Sequence, residues 1–295
     1  MNPQRILEFR RKVLTWYRTH KADLPWRHTR DPYNILVSEV MLQQTQVDRV
    51  RQKWPEFLRQ FPTLQSLSVS PVSSVILAWS GMGYNRRALY LQKTAQAVVG
   101  RFGGEFPQTL GQLQTLPGIG EYTARALLVF AFGRAYIAPD VNVLRILGRS
   151  FGKEVKIRRD EDMTRHLIAI GDNIVTPKNA YDLNQALMDM GRTACRAKHS
   201  QSLSCPLHDH PSLRDEFVPQ RRTQGEPMFA GVPRRIWRGR IIELVRTQKK
   251  ATSEQIIYQL GIQVDDDARE WLHNVFKQLG QDGLIRFASG MVTLP

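Results

Sequence analysis

In SEVMLQQTQ, residues 38–46, a carboxylate, Glu39, and three glutamines interrupt what otherwise reads as a buried helix. The apolar neighbours Val40, Met41 and Leu42 would strip water from that carboxyl group and raise its pKa, which is what a proton donor at neutral pH requires. Glu39 and Gln43 are four residues apart and share one helical face. A second carboxylate, Asp140, stands in PDVNVLRILGR (139–149) just ahead of an apolar periodic run, the place where Asp serves as a helix N-cap. Cys195, Cys205, His208 and His210 offer zinc-type donors, but their spacing, C-x9-C-x2-H-x-H, is no common zinc motif, and ordinary packing is the expectation.

The elements that position these groups are mostly helical. In TLGQLQTLPGIGEYTARALLVFAFG (109–133), Thr109 and Gln112 form a capping box, a helix ends at Leu116, and Pro-Gly-Ile-Gly turns sharply into another helix. This resembles the helix-hairpin-helix element. Gly118 and Gly120 let the backbone turn so that amide groups face outward, where they can hold a phosphate without reading a base. Residues 1–22 carry Ile6, Phe9, Val13, Leu14 and Tyr17 at helical spacing, and the stretch 1–30 holds eight Lys/Arg against two Asp/Glu. Further helices separated by turn signals follow from 33 to 133. Residues 211–233, rich in Pro, Gly and charge, read as a linker.

The tail, 234–295, gives three amphipathic helices (RIWRGRIIELVRTQ, SEQIIYQLG, DAREWLHNVFKQLG) and then a hairpin around Ala-Ser-Gly, the order of a winged helix-turn-helix domain. It has ten Lys/Arg against seven Asp/Glu. Over the whole chain of 295 residues, Lys+Arg 42 against Asp+Glu 27 gives a formal net charge of +15, the balance of a protein that meets a polyanion. No apolar run approaches the roughly 18 residues of a membrane span, and no secretory signal opens the chain. Only two cysteines, Cys195 and Cys205, argue against a disulfide framework. A cytoplasmic protein, nucleoid-associated in a prokaryote, is expected.

The blocks LPWRHTRDPYNILVSEVMLQQTQV (24–47), WSGMGYNRRALYLQKTA (79–95), LPGIGEYTARAL, PDVNVLRILGR and NQALMDMGRTAC (184–195) resemble, in order and spacing, those of the MutY adenine DNA glycosylases, across positions 1 to about 210. The resemblance implies an all-α, two-lobed helix-hairpin-helix DNA glycosylase fold with a six-helix lobe at about 30–133 and a second lobe of 1–29 plus 134–210, followed by the winged-helix-like domain. It implies that Glu39 is the general acid, that Asp140 supports the sugar cation, and that Tyr122 and Asn142 are their neighbours. Arg27, Gln43, Gln44, Thr45, Met82, Tyr84, Gly118 and Gly120 fall where the family meets the duplex around the mispair. The implied partner is double-stranded DNA carrying a mispaired adenine, opposite 8-oxoguanine or guanine, bound by a monomer. A glycosylase acting on T or U opposite G, or a non-catalytic DNA-binding protein, are the alternatives.

Three departures matter. Members of the family hold an iron-sulfur cluster on C-x6-C-x2-C-x5-C, whereas this chain has Cys195, Ser202, Cys205 and Pro211 there, so no cluster is expected and the two cysteines are remnants of the motif. No other cofactor is implied beyond a monovalent cation at the hairpin. The Nudix-like C-terminal module of the family is replaced by the winged-helix-like tail. Val141 and Asn85 stand where the family has glycine and a second tyrosine, and Val141 would fail if that position needed positive φ. Tyr122 occupies the place of the Schiff-base lysine of bifunctional relatives, so strand cleavage is not expected.

Overall fold

The structure, a computed structural model, describes residues 2–152, 160–196, 205–207, 225–262 and 265–295. His208, His210, Ser202 and Pro211 lie outside them, as does most of the expected linker. The chain opens with α1 (Pro3–His20), α2 (Pro32–Leu42), α3 (Val47–Gln60), α4 (Leu64–Val69) and α5 (Val72–Ala78). Then come α6 (Arg86–Phe102), α7 (Leu110–Gln114), α8 (Glu121–Phe130), α9 (Val141–Phe151), α10 (Asp160–Ile174) and α11 (Ala180–Thr193). The tail adds β1 (Met228–Phe229), β2 (Val232–Pro233), α12 (Arg234–Gln248), β3 (Lys250–Thr252), α13 (Ser253–Gln259), α14 (Asp266–Gln281), β4 (Arg286–Ala288) and β5 (Met291–Thr293). Among the described residues no helix is long and apolar enough to cross a membrane.

The chain divides into two compact units, one of 1–39, 107–115 and 119–222, the other of 40–106, 116–118 and 223–295. This differs from the expected lobes. Residues 30–39 and α8 join the terminal segments because Arg30 donates to the Phe130 carbonyl at 2.9 Å and stacks on Tyr181, while Arg125 of α8 forks onto Asp172 at 2.9 Å. In this first unit Phe9 and Val13 of α1 are wholly buried, with Phe9 edge-on to Phe151 of α9 at 5.1 Å. The capping box at α7 is half formed: Thr109 Oγ1 accepts from the Gln112 N–H, and the helix ends at Gln114 rather than Leu116.

In the second unit the tail is no separate body. Ile76 of α5 and Leu89 of α6 share one buried cluster with Ile241, Val245, Leu272, Phe276 and Leu279 of the tail helices. Burying side chains of that size stabilises by roughly 2 kcal/mol each, which decides the grouping against a free tail. Residues 225–233, expected as linker, form the β1–β2 hairpin instead, because Phe229 stacks on Trp271 at 4.3 Å and accepts from Trp237 Nε1 through its carbonyl. The tail sheet has a third strand that periodicity did not show: β3 pairs with β5, and β5 with β4, all antiparallel. Ser289 and Gly290, both at positive φ, make the two-residue turn between β4 and β5.

Candidate active site

The first unit assembles the acids. Asp31 accepts from the Asn34 N–H at 2.8 Å. Pro32 takes the first helical position, so α2 starts firmly and carries Glu39 into the interior on one face. Glu39 is 5% exposed. Tyr122 of α8 donates its hydroxyl to Glu39 Oε2 at 2.6 Å, and Oε1 has no hydrogen-bond partner among the described residues. Burial pushes the Glu39 carboxyl up to about 7; the Tyr122 hydrogen bond opposes this, the Asp140 charge adds to it, and Arg27 opposes it more weakly. Burial raises the Tyr122 phenol too, which keeps it a donor.

Asp140 is the N-cap of α9. Its Oδ1 accepts from the Val143 N–H at 2.6 Å and its Oδ2 from Asn142 Nδ2 at 3.0 Å, so the expected cap is formed. Burial raises its pKa, and the hydrogen bonds from Val143 and Asn142 act against that rise. Val141 begins α9 without positive φ, so its branched side chain meets no backbone conflict. Arg145 fixes Asn142 in turn, donating to its Oδ1 at 2.8 Å.

The block NQALMDMG on α11 proves to be the bracket behind these acids. Asn184, wholly buried, accepts from the Ala138 N–H at 2.7 Å and donates to the Tyr136 carbonyl at 2.9 Å, setting the extended segment that leads into Asp140. Gly191 lets α11 approach the start of α9: a Cβ there would lie 2.5 Å from that of Asn142. Asp189 takes both Nη atoms of Arg27, at 2.8 and 2.9 Å, and the Ala22 N–H. Arg27 therefore departs from the expected duplex role. Its guanidinium is committed to a buried carboxylate, and it acts on Glu39 only as a nearby positive charge.

The residues expected at the mispair gather in the second unit around an arginine that sequence reasoning passed over. Arg87 of α6, 9% exposed, donates to the carbonyls of Val40, Met41 and Gln43, to Thr45 Oγ1, and to the carbonyls of Met82 and Gly83. The first two are last-turn carbonyls of α2, which have no partner within the helix. One side chain thus ties the QQTQ turn to the GMGY loop. The two loops hold non-glycine residues at positive φ, Gln44 at 58° and Tyr84 at 43°. Such conformations cost about 1 kcal/mol or more and persist where neighbours impose them. Gln44 and Tyr84 are exposed, Gln43 and Thr45 half-buried. Met82 differs from expectation, since its side chain is 3% exposed and only its carbonyl is engaged, by Arg87 and Thr45. The signal for Arg87 was the doubled Asn-Arg-Arg at a helix start followed by apolar spacing.

Gly118 has φ of 77°, and a Cβ on it would fall 2.7 Å from that of Tyr90. Both the turn and the close approach therefore demand glycine. Gly120 caps α8 with no side-chain acceptor, so the first amides of α8 have no side-chain cap.

The family's cluster meets a shortage of donors: it needs four thiolates, and the chain has two cysteines. Instead Arg149, wholly buried, donates to Cys195 Sγ at 3.2 Å and to the Arg196 carbonyl. Cys195 and Cys205 hydrogen-bond to each other, with the Cys195 thiol the more acidic of the two through that bond and the adjacent arginines. These residues do not fit the cluster. Among the described residues no three His, Cys, Asp or Glu side chains come together as a metal site.

Residues 37–170 match the HhH-GPD superfamily of base excision DNA repair proteins. The human adenine DNA glycosylase is 38% identical over 240 residues, 77% of this chain and 43% of that protein. The Mycobacterium tuberculosis adenine DNA glycosylase is 33% identical over 244 residues, 79% of this chain and 77% of that one. The chain spans less than half the length of the human relative it matches. Among solved structures, a thermostable thymine-DNA glycosylase superposes with a TM-score of 0.61 at 29% identity, covering 65% of this chain and 88% of that one. On the match to the mycobacterial protein, with the helix-hairpin-helix fold beneath it, the chain belongs to the adenine DNA glycosylase family of the HhH-GPD superfamily.

Proposed function

We propose that the chain is a monofunctional DNA glycosylase that hydrolyses the N-glycosidic bond of adenine opposite 8-oxoguanine or guanine, acting on double-stranded DNA as a monomer in the cytoplasm. The observation that carries this reading is Glu39, buried, held at one oxygen by Tyr122, and raised to about 7. Adenine leaves only after a ring nitrogen is protonated, so the base must be extruded from the stack and met by an acid that still holds its proton near neutral pH. With Oε2 occupied, the Glu39 proton goes out through Oε1.

As the C1′–N bond breaks, its electron pair departs with the protonated adenine and positive charge develops on the sugar. Asp140, its carboxylate fixed by Val143 and Asn142, faces that charge, and water then adds to C1′ and loses a proton. Tyr122 has no amine with which to form a Schiff base, so the product is an abasic site in an intact strand.

Single-turnover excision on duplexes carrying A opposite 8-oxoguanine, A opposite G, T opposite G and U opposite G tests this, with alkali to reveal abasic sites. Release from the two adenine duplexes alone is the expected outcome. Glu39→Gln should slow it by about 10³-fold or more while sparing duplex binding. An active Glu39→Gln enzyme sinks the acid, release of thymine or uracil in place of adenine sinks the substrate, and strand breaks without alkali sink the monofunctional reading.

A further inference from the structure

The first and third helices of the tail differ in the charge of their N-terminal ends. In winged-helix domains the third helix enters a DNA groove by its N-terminal residues. Here that end of α14 is acidic. Asp265 caps it, Asp266 and Asp267 fill its first turn, and the Asp266 side chain is 99% exposed. These carboxylates already answer the positive end of the helix and would repel phosphate.

The first helix is built the other way. α12 begins Arg234-Arg235, with Arg238 and Arg240 following and no acid in its first turn. Cations at a helix N-terminus oppose the helix dipole, so stability alone does not explain them. Arg235, Arg238 and Arg240 line a groove of about 870 Å³ together with Gln43, Gln44 and Arg86. Gly118, at the turn of the helix-hairpin-helix, lines the same groove. Among the described residues two carboxylates pair with these arginines: Asp282, bound by Arg238 and 3.4 Å from Arg86, and Glu226, bound by Arg235. Arg240 lies over the Trp237 ring at 4.9 Å and has no carboxylate partner among them.

We propose that α12, not α14, is the nucleic-acid element of the tail, with Arg235 and Arg240 touching phosphates of the duplex that runs through this groove. The proposal rests on reading the chain as a DNA-acting enzyme. The tail then lengthens the electrostatic footprint of the duplex site and does not read bases, since guanidinium bonds to phosphate carry no sequence information. Ion pairs as exposed as Arg235–Glu226 contribute little to folding and yield readily to a phosphate.

Fluorescence anisotropy of the full chain on a labelled duplex, over a series of salt concentrations, tests it. Each phosphate neutralised by a side chain adds about 0.9 to the slope of log affinity against log salt. Arg235→Ala/Arg240→Ala is expected to lower that slope by about 2 and to weaken binding by roughly 10-fold or more at moderate salt. Arg235→Lys/Arg240→Lys, which keeps the charge, should stay close to the parent, so a drop in the alanine pair alone is not misfolding. Asp266→Asn/Asp267→Asn should leave slope and affinity unchanged. An unchanged slope in the alanine pair overturns the proposal, and so does a steeper slope in the asparagine pair, which would set the duplex on α14. The excision assay run in parallel separates the two readings. Adenine release with no effect of the arginines removes the groove alone, whereas a slope change in a chain that releases no adenine removes the proposed chemistry and leaves the groove standing.

Discussion

Two arginines drawn into the interior, one in each unit, are held in opposite ways. In the first, Arg27 is met by the Asp189 carboxylate, as Arg125 is by Asp172. In the second, Arg87 is met by carbonyl and hydroxyl oxygens, with no carboxylate among its partners, and burial lowers its pKa to about 10. With Arg27 neutralised, burial sets the proton affinity of Glu39. With Arg87 met by neutral oxygens, its positive field is left uncancelled. The same residue type is cancelled at Arg27, beside the acids, and left uncancelled at Arg87, between the two loops.

The sharpest way to break this contrast is at Arg87. Arg87→Ala leaves several buried carbonyls without donors, and should lower stability to urea by about 4 kcal/mol. Arg87→Lys should recover less than half of that, because an ammonium cannot fork across both loops. A loss under about 1 kcal/mol for the alanine would show that the loops hold themselves.

The next effect in size lies in the other unit and carries a pH signature. The ordinary Glu39 value is 4.5 and the folded value about 7, so across that window the folded chain holds a proton that the unfolded chain has released. Stability therefore falls as pH rises from 4.5 to 7 and stays low above it. Glu39→Gln should remove that part of the decline, stabilising the chain by up to about 3 kcal/mol at pH 8 and by almost nothing at pH 4. A gain equal at both pH values would mean that the carboxyl is not perturbed. The smallest effect is expected at Gly191→Ala, which pushes on Asn142 and should slow single-turnover release about 10-fold, roughly 1.4 kcal/mol of barrier. An unchanged rate there would detach Asn142 from the chemistry.

Much of the site was legible in sequence because burying an acid is expensive. Glu39 in an apolar helix breaks a local rule, and such breaks mark function, whereas Asp140 at a helix start obeys one and stood out only through the block around it. The fate of Arg27 and Arg87 was not legible. Both sit in arginine-rich blocks, and what separates them is a partner: Asp189 lies 162 residues from Arg27, while Arg87 answers to main-chain oxygens that no residue code displays. The helices of the tail were readable from their periodicity, whereas β3, three residues long, was too short for any pattern. Nor did periodicity show that the tail would share a core with α5 and α6, since an apolar face does not name its partner.

Arg246 reaches from α12 to the Ile76 carbonyl at 3.0 Å and to Asn85 Oδ1 at 2.7 Å, so the asparagine that departs from the family's tyrosine is the anchor point of the tail. On a ribosome this has a timetable. Residues 40–106 emerge early, yet the side chains that finish their core arrive with 234–295, so this unit is completed only after that stretch has emerged. A nascent chain stalled before Arg234 would present Ile76 and Leu89 to solvent, and a chain cut there would be an unfinished unit, not a trimmed enzyme.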